Sequence, residues 1–103
     1  MPISIRVFAD EVSREIYQSL ELGKLIRADV KDWIASYVVE GCVLKAIDIQ
    51  KGLRRLGITL SIFQIACLLE MLNGKYASIY TEPRRFCEIH AKHFALFFGI
   101  DVK

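Results

Sequence analysis

Gly52-Leu53-Arg54-Arg55-Leu56-Gly57-Ile58-Thr59-Leu60-Ser61-Ile62-Phe63-Gln64-Ile65 holds the stop of one helix and the start of the next. Gly57 follows an apolar pair, Leu53 and Leu56, at the place where a left-handed residue ends a helix without a Cβ penalty. Ser61 can accept from the free backbone N–H groups of a new first turn, Gln64 can close the reciprocal half of a capping box, and Leu60 can staple onto Ile65. Three local signals thus agree on a helix start at Ser61. The run predicts two helices joined by a four-residue connection.

Working outward, the helix before Gly57 begins near Val43 and carries Leu44, Ile47 or Asp48, Leu53 and Leu56. A preceding helix opens at Asp29, with Asp32 in the same turn suiting the positive end of the dipole. Val30, Trp33, Ile34 and Tyr37 line one of its faces, and the β-branched pair Val38-Val39 with Gly41 ends it. A first helix spans about Asp10 to Leu22, with Val12, Ile16, Tyr17 and Leu20 as its stripe and Gly23 as its stop. Before it, Ile3, Ile5 and Val7 alternate and suggest a short strand or extended arm. Beyond Ser61, a helix carrying Ile62, Ile65, Leu68, Leu69 and Leu72 stops at Asn73-Gly74. The last helix starts near Thr81-Glu82-Pro83, with proline in its first turn. It runs through Phe86, Ile89, Phe94, Phe97 and Phe98 to Gly99.

The whole chain of 103 residues is expected to form one all-α domain. With 53% hydrophobic and 25% charged residues there is material for a single packed core. The longest charge-free stretch, Leu56 to Leu69, is shorter than the ~20 residues a membrane helix needs, so no span is expected. Fourteen Lys and Arg against twelve Asp and Glu leave +2, which commits the surface to neither polyanions nor polycations. Cys42, Cys67 and Cys87 are odd in number and lack a CxxC pair, which favours free thiols and a cytoplasmic site.

Three chemical constellations compete for a function. Cys87, His90 and His93 form C-x-x-H-x-x-H, but residues six apart on a helix point about 120° from each other, so a shared zinc is not expected. Residues 50–69 also fit a helix-turn-helix, with Lys51, Arg54 and Arg55 as phosphate contacts. A recognition helix must show polar side chains to base edges, and Ile62 to Leu72 offers only Gln64, so nucleic-acid binding is an alternative rather than the leading expectation. There is no phosphate loop, nucleophile elbow or H-E-x-x-H pair, and the carboxylates Asp29 with Asp32 and Glu11 with Glu15 sit at helix starts, so no enzyme activity and no cofactor are expected.

The Leu53-x-x-Leu56-Gly57 stop with Ser61 four residues later resembles the join between paired EF-hands in the calmodulin and myosin light chain family, over about residues 29–86. The resemblance implies an extra N-terminal arm and helix (residues 1–28), a first degenerate EF-hand (29–60) and a second (61–98). The first loop would run from Tyr37 to Asp48, with Leu44 at the hydrophobic eighth place and Asp48 at the acidic twelfth; the second would begin at Asn73. A calcium loop needs oxygen ligands at its first, third and fifth places, glycine at the sixth and an acid at the twelfth. Here Tyr37, Val39 and Gly41, then Asn73, Lys75 and Ala77, fill the ligand places, Cys42 and Ser78 stand at the turns, and Arg84 replaces the second acid. Calcium binding is therefore not expected, and a calcium-responsive sensor is an alternative. The resemblance implies instead a non-catalytic subunit that clasps an amphipathic helix of a larger protein, in a cytoskeletal or other large assembly. The eleven aromatics and long Leu/Ile stripes suit that role. The expected groove residues are Trp33, Phe63, Leu68, Met71, Phe86 and Phe94, with Lys51, Arg54 and Arg55 as a basic rim.

Overall fold

The computed structural model describes residues 5–39, 42–76 and 83–100. Their order is α1 (Ile5–Glu21), α2 (Arg27–Val39), β1 (Val43–Lys45), α3 (Ala46–Arg55), α4 (Ile62–Lys75), α5 (Arg84–Cys87), β2 (Glu88–His90) and α6 (Ala91–Phe97). The chain is mostly helical. It contains two helix–strand–helix units, α2–β1–α3 and α4–β2–α6, the latter with the single turn of α5 ahead of its strand.

Three of these helices stop by the same device. Gly23, Gly57 and Gly99 all have positive φ, at 73°, 100° and 72°. After α3, Gly57 N–H donates to the Arg54 carbonyl (3.1 Å) and Ile58 N–H to the Leu53 carbonyl (2.8 Å). This is the Schellman pattern, in which the left-handed residue lets the backbone fold back onto orphan carbonyls. The same pair of bonds closes α1, to Leu20 and Ser19, and α6, to Leu96 and Ala95. The start of α4 carries the full capping box: Gln64 N–H donates to Ser61 Oγ (3.1 Å) and Ser61 N–H to Gln64 Oε1 (2.8 Å).

Helix α1 begins earlier than the alternating pattern of Ile5 and Val7 suggested, and Ile3 lies outside the described residues. Ile5 to Phe8 are helical because Ala9, Val12 and Ile16 supply a helical stripe that buries completely, while Ile5 and Val7 remain exposed. Helix α2 likewise starts at Arg27, placing Asp29 inside its first turn.

The larger correction concerns the strands. Val43 to Lys45 are extended rather than the first turn of α3, and Glu88 to His90 interrupt the expected last helix. They pair antiparallel in the register Val43↔His90, Leu44↔Ile89 and Lys45↔Glu88. Leu44 and Ile89 are fully buried at the centre of the pair, and Lys45 faces Glu88 at its edge. Opposed charges on paired strands favour this register.

Helix α4 does not stop at Asn73-Gly74. Asn73 is buried, and its Nδ2 donates to the carbonyls of Arg85 (2.9 Å) and Glu88 (2.8 Å), so its polar side chain serves the α5–β2 corner instead of a turn. Gly74 lies under the Arg85 side chain, where an added Cβ would come within 2.6 Å of the guanidinium. The same Arg85 forms an ion pair with Glu70 at 3.1 Å.

One core unites both units. Leu25, Val30 and Ile34 join Leu44 of β1, Ile49 and Leu53 of α3, Leu60 of the connection, Ile65, Leu68, Leu69 and Leu72 along α4, and Ile89, Phe94, Phe97 and Phe98. Each such side chain taken from water contributes about 1.5–3 kcal/mol. Helix α1 packs chiefly against α4. Its Tyr17 hydroxyl donates to the Phe97 carbonyl, and Arg27 Nε donates to the Phe98 carbonyl (2.9 Å) at the end of α6.

Candidate partner-binding surface

The residues expected to line a binding groove are not brought together. Leu68 and Phe94 are fully buried in the common core, so neither offers surface to a partner. Each of these positions carries a bulky apolar residue, but bulk does not distinguish an inner wall from an interior. Phe63 is 59% exposed on the first turn of α4, its ring edge-on to Phe8 at 5.4 Å. Met71 packs against the core from a half-buried position, and Phe86 is half-buried in α5.

Helix α1 packs chiefly on α4, with its Ala9, Val12 and Ile16 buried. Nearby, a cleft of about 730 Å³ is lined by Ile5, Arg6, Asp10, Glu70, Met71 and Arg85 among others.

Trp33, Lys51, Arg54 and Arg55 do converge. Trp33 and Tyr37 stand one turn apart on α2; Lys51, Arg54 and Arg55 stand at i, i+3 and i+4 on α3, and hence on one face. Two adjoining clefts, of about 450 and 540 Å³, lie between these helices. Trp33, Tyr37 and Arg55 line both; Asp48, Lys51 and Arg54 border the first, and Asp32, Ser36 and Leu56 the second. The floor is rigid because the Trp33 indole lies directly on Gly52, in the space a Cβ would occupy. Phe94 meets its ring edge-on at 6.0 Å. Gly52 and Tyr37 were absent from the expected site, although a glycine in a helix interior is itself a signal of close approach.

Lys51, Arg54 and Arg55 make no ion pair among the described residues. Asp48, the expected acidic twelfth place, is half-buried in the first turn of α3, where the helix dipole favours it. Asn73, expected to begin a second cation loop, is committed to backbone carbonyls; Lys75 ends α4, Arg84 begins α5, and Ala77 and Ser78 fall outside the described residues.

The cysteine and histidine cluster is dispersed. Cys87 is exposed, Cys42 half-buried and Cys67 buried, with no disulfide between them, and burial raises the Cys67 pKa. His93 stacks on Tyr76 at 5.8 Å and meets His90 edge-on at 5.4 Å. Its Nδ1 is buried without a hydrogen-bond partner. Burial first, then the charges of His90 and Lys92, hold its pKa below the ordinary imidazole value. Among the described residues, no three His, Cys, Asp or Glu side chains are grouped to hold a metal ion.

No helix among the described residues is long and apolar enough to cross a membrane. No family model, curated protein or solved structure matches the chain.

Proposed function

We propose that this chain is a non-catalytic, calcium-independent protein-binding module built as a degenerate EF-hand pair, in which α1 occupies in cis the place of a clasped helix. The observation that carries this reading is α1 itself, an amphipathic helix held on α4 with Ala9, Val12 and Ile16 fully covered. Two further features support it. The antiparallel pair is centred on Leu44 and Ile89, so the hydrophobic eighth place of the second hand becomes Ile89 instead of Tyr80. By count, the second loop then runs from Glu82 to His93, with Arg84 and Phe86 at its third and fifth places and His93 at its twelfth. That set offers a divalent cation fewer oxygens than a calcium loop requires.

A protein module of this kind positions or stiffens a larger partner, and a cytoskeletal or other large assembly is the setting the resemblance implies. The nucleic-acid alternative asks α4 to read bases. Yet Ile65, Cys67, Leu68, Leu69, Leu72 and Asn73 are buried around most of α4, which leaves it no free reading face.

The test is a titration of the intact protein with amphipathic helical peptides, in millimolar calcium and again in chelator. Binding of equal strength in both, with an unchanged unfolding midpoint, is the expected result. A calcium-dependent shift in the midpoint or in the Trp33 emission would overturn the reading in favour of a sensor. Binding to no peptide at all would overturn it as well.

A further inference from the structure

We propose that the face between α2 and α3 is a docking site for an acidic amphipathic helix of a partner protein. The proposal rests on the protein-binding reading above and names the surface and the chemistry of its partner. Helix α1 covers much of α4, whereas the α2–α3 face combines an aromatic floor with cations that make no ion pair among the described residues.

Its floor is Trp33 and Tyr37, and Gly52 admits the indole into space that any side chain's Cβ would take. Along one edge stand Lys51, Arg54 and Arg55, exposed and without an ion-pair partner among the described residues. The dipole of α3 accounts for two cations in its last turn, Arg54 and Arg55. It accounts neither for Lys51 one turn earlier nor for the aromatic floor that all three border. Cations repeating at one-turn spacing match carboxylates at the same spacing on another helix, with an apolar side chain of that helix resting on the indole between them.

Charge selects the partner class. Asp48 and Asp32 also border the clefts, each at a different end. A continuous phosphate backbone would meet both carboxylates, whereas a helix can set its few acids against Lys51, Arg54 and Arg55 and turn other side chains toward the aspartates. With a net charge of only +2 on the chain, a local complement to a peptide is better supported than a polyanion track.

Trp33 is the sole tryptophan and lies in the floor, so its emission reports occupancy directly. The intact chain is titrated with two tryptophan-free helical peptides that share their apolar residues, one flanked by glutamates and the other by lysines. A mixed-sequence single-stranded oligonucleotide is the third probe. The glutamate peptide is expected to shift Trp33 emission and to weaken with salt, and the lysine peptide to leave it unchanged. The triple variant Lys51→Glu, Arg54→Glu, Arg55→Glu is expected to weaken the glutamate peptide by at least about tenfold. These side chains are exposed, so the variant should keep its helical circular dichroism; the milder pair Arg54→Ala, Arg55→Ala gives a second measure if it does not.

Equal binding of both peptides, an unchanged affinity in the charge variants, or an oligonucleotide that displaces the peptide would overturn the proposal. A calcium-indifferent peptide that binds without moving Trp33 emission would overturn this surface and leave the protein-binding reading intact.

Discussion

The two helix–strand–helix units reach the same paired strands by different means. In the first, α2 passes to β1 across residues 40–42, and the unit closes through an apolar contact, Trp33 against Gly52. In the second, α4 passes to β2 across residues 76–87, and the corner is held by polar groups. Asn73 there donates to the Arg85 and Glu88 carbonyls, and Glu70 pairs with Arg85. A short connection leaves little main chain to satisfy, so packing suffices. A longer one leaves half-buried carbonyls that need a donor, and the amide of a buried asparagine supplies two N–H groups.

This contrast can be broken at graded cost. The largest effect is expected where the units meet: Leu44→Ala and Ile89→Ala should each cost about 3 kcal/mol in urea unfolding, because both are fully buried and mutually opposed. Clearly unequal losses would show that one unit tolerates collapse around the strand pair better than the other. Next, Asn73→Ala should cost about 2 kcal/mol by removing the side-chain donor from the half-buried Arg85 and Glu88 carbonyls. Hydrogen exchange should rise in α5 and β2 and stay unchanged in α2. Gly52→Ala should cost about 1–2 kcal/mol despite alanine's better helix propensity, since the indole must move, and Trp33 emission should shift to longer wavelength.

The smallest effect is a pH dependence confined to the second unit. His93 has its pKa lowered in the folded protein, chiefly by burial. The unfolded chain therefore binds that proton first as pH falls below about 6.5, and stability declines until the folded group is protonated as well. Above that pH both states are neutral and the group contributes no slope. The unfolding midpoint should fall between about pH 7 and about pH 5, and His93→Gln should flatten that part of the curve.

What could be read from the residues divides along the same lines. The stops at Gly23, Gly57 and Gly99 and the Ser61–Gln64 box are local devices, complete within a few residues, and they occur as expected. The strands were missed because a three-residue extended segment has no periodicity of its own; Leu44 is extended because Ile89 lies opposite it, far along the chain. The end of α4 was placed too early because Asn73-Gly74 is a turn signal only when its side chain is free.

For the candidate surface, the i, i+3, i+4 spacing of Lys51, Arg54 and Arg55 was visible directly. The sorting of aromatics and leucines was not. Helix α4 is apolar on almost every side because neighbours surround it, and periodicity cannot choose a face when most faces are covered. Leu68 therefore looked as available as Phe63, although one is interior and the other lies open.

The side-chain bonds from Tyr17 and Arg27 to the last carbonyls of α6 bind the beginning of the described chain to its end. A load applied between residues 5 and 100 would act across these two bonds before it reached β1 and β2, which lie further along the chain from either end.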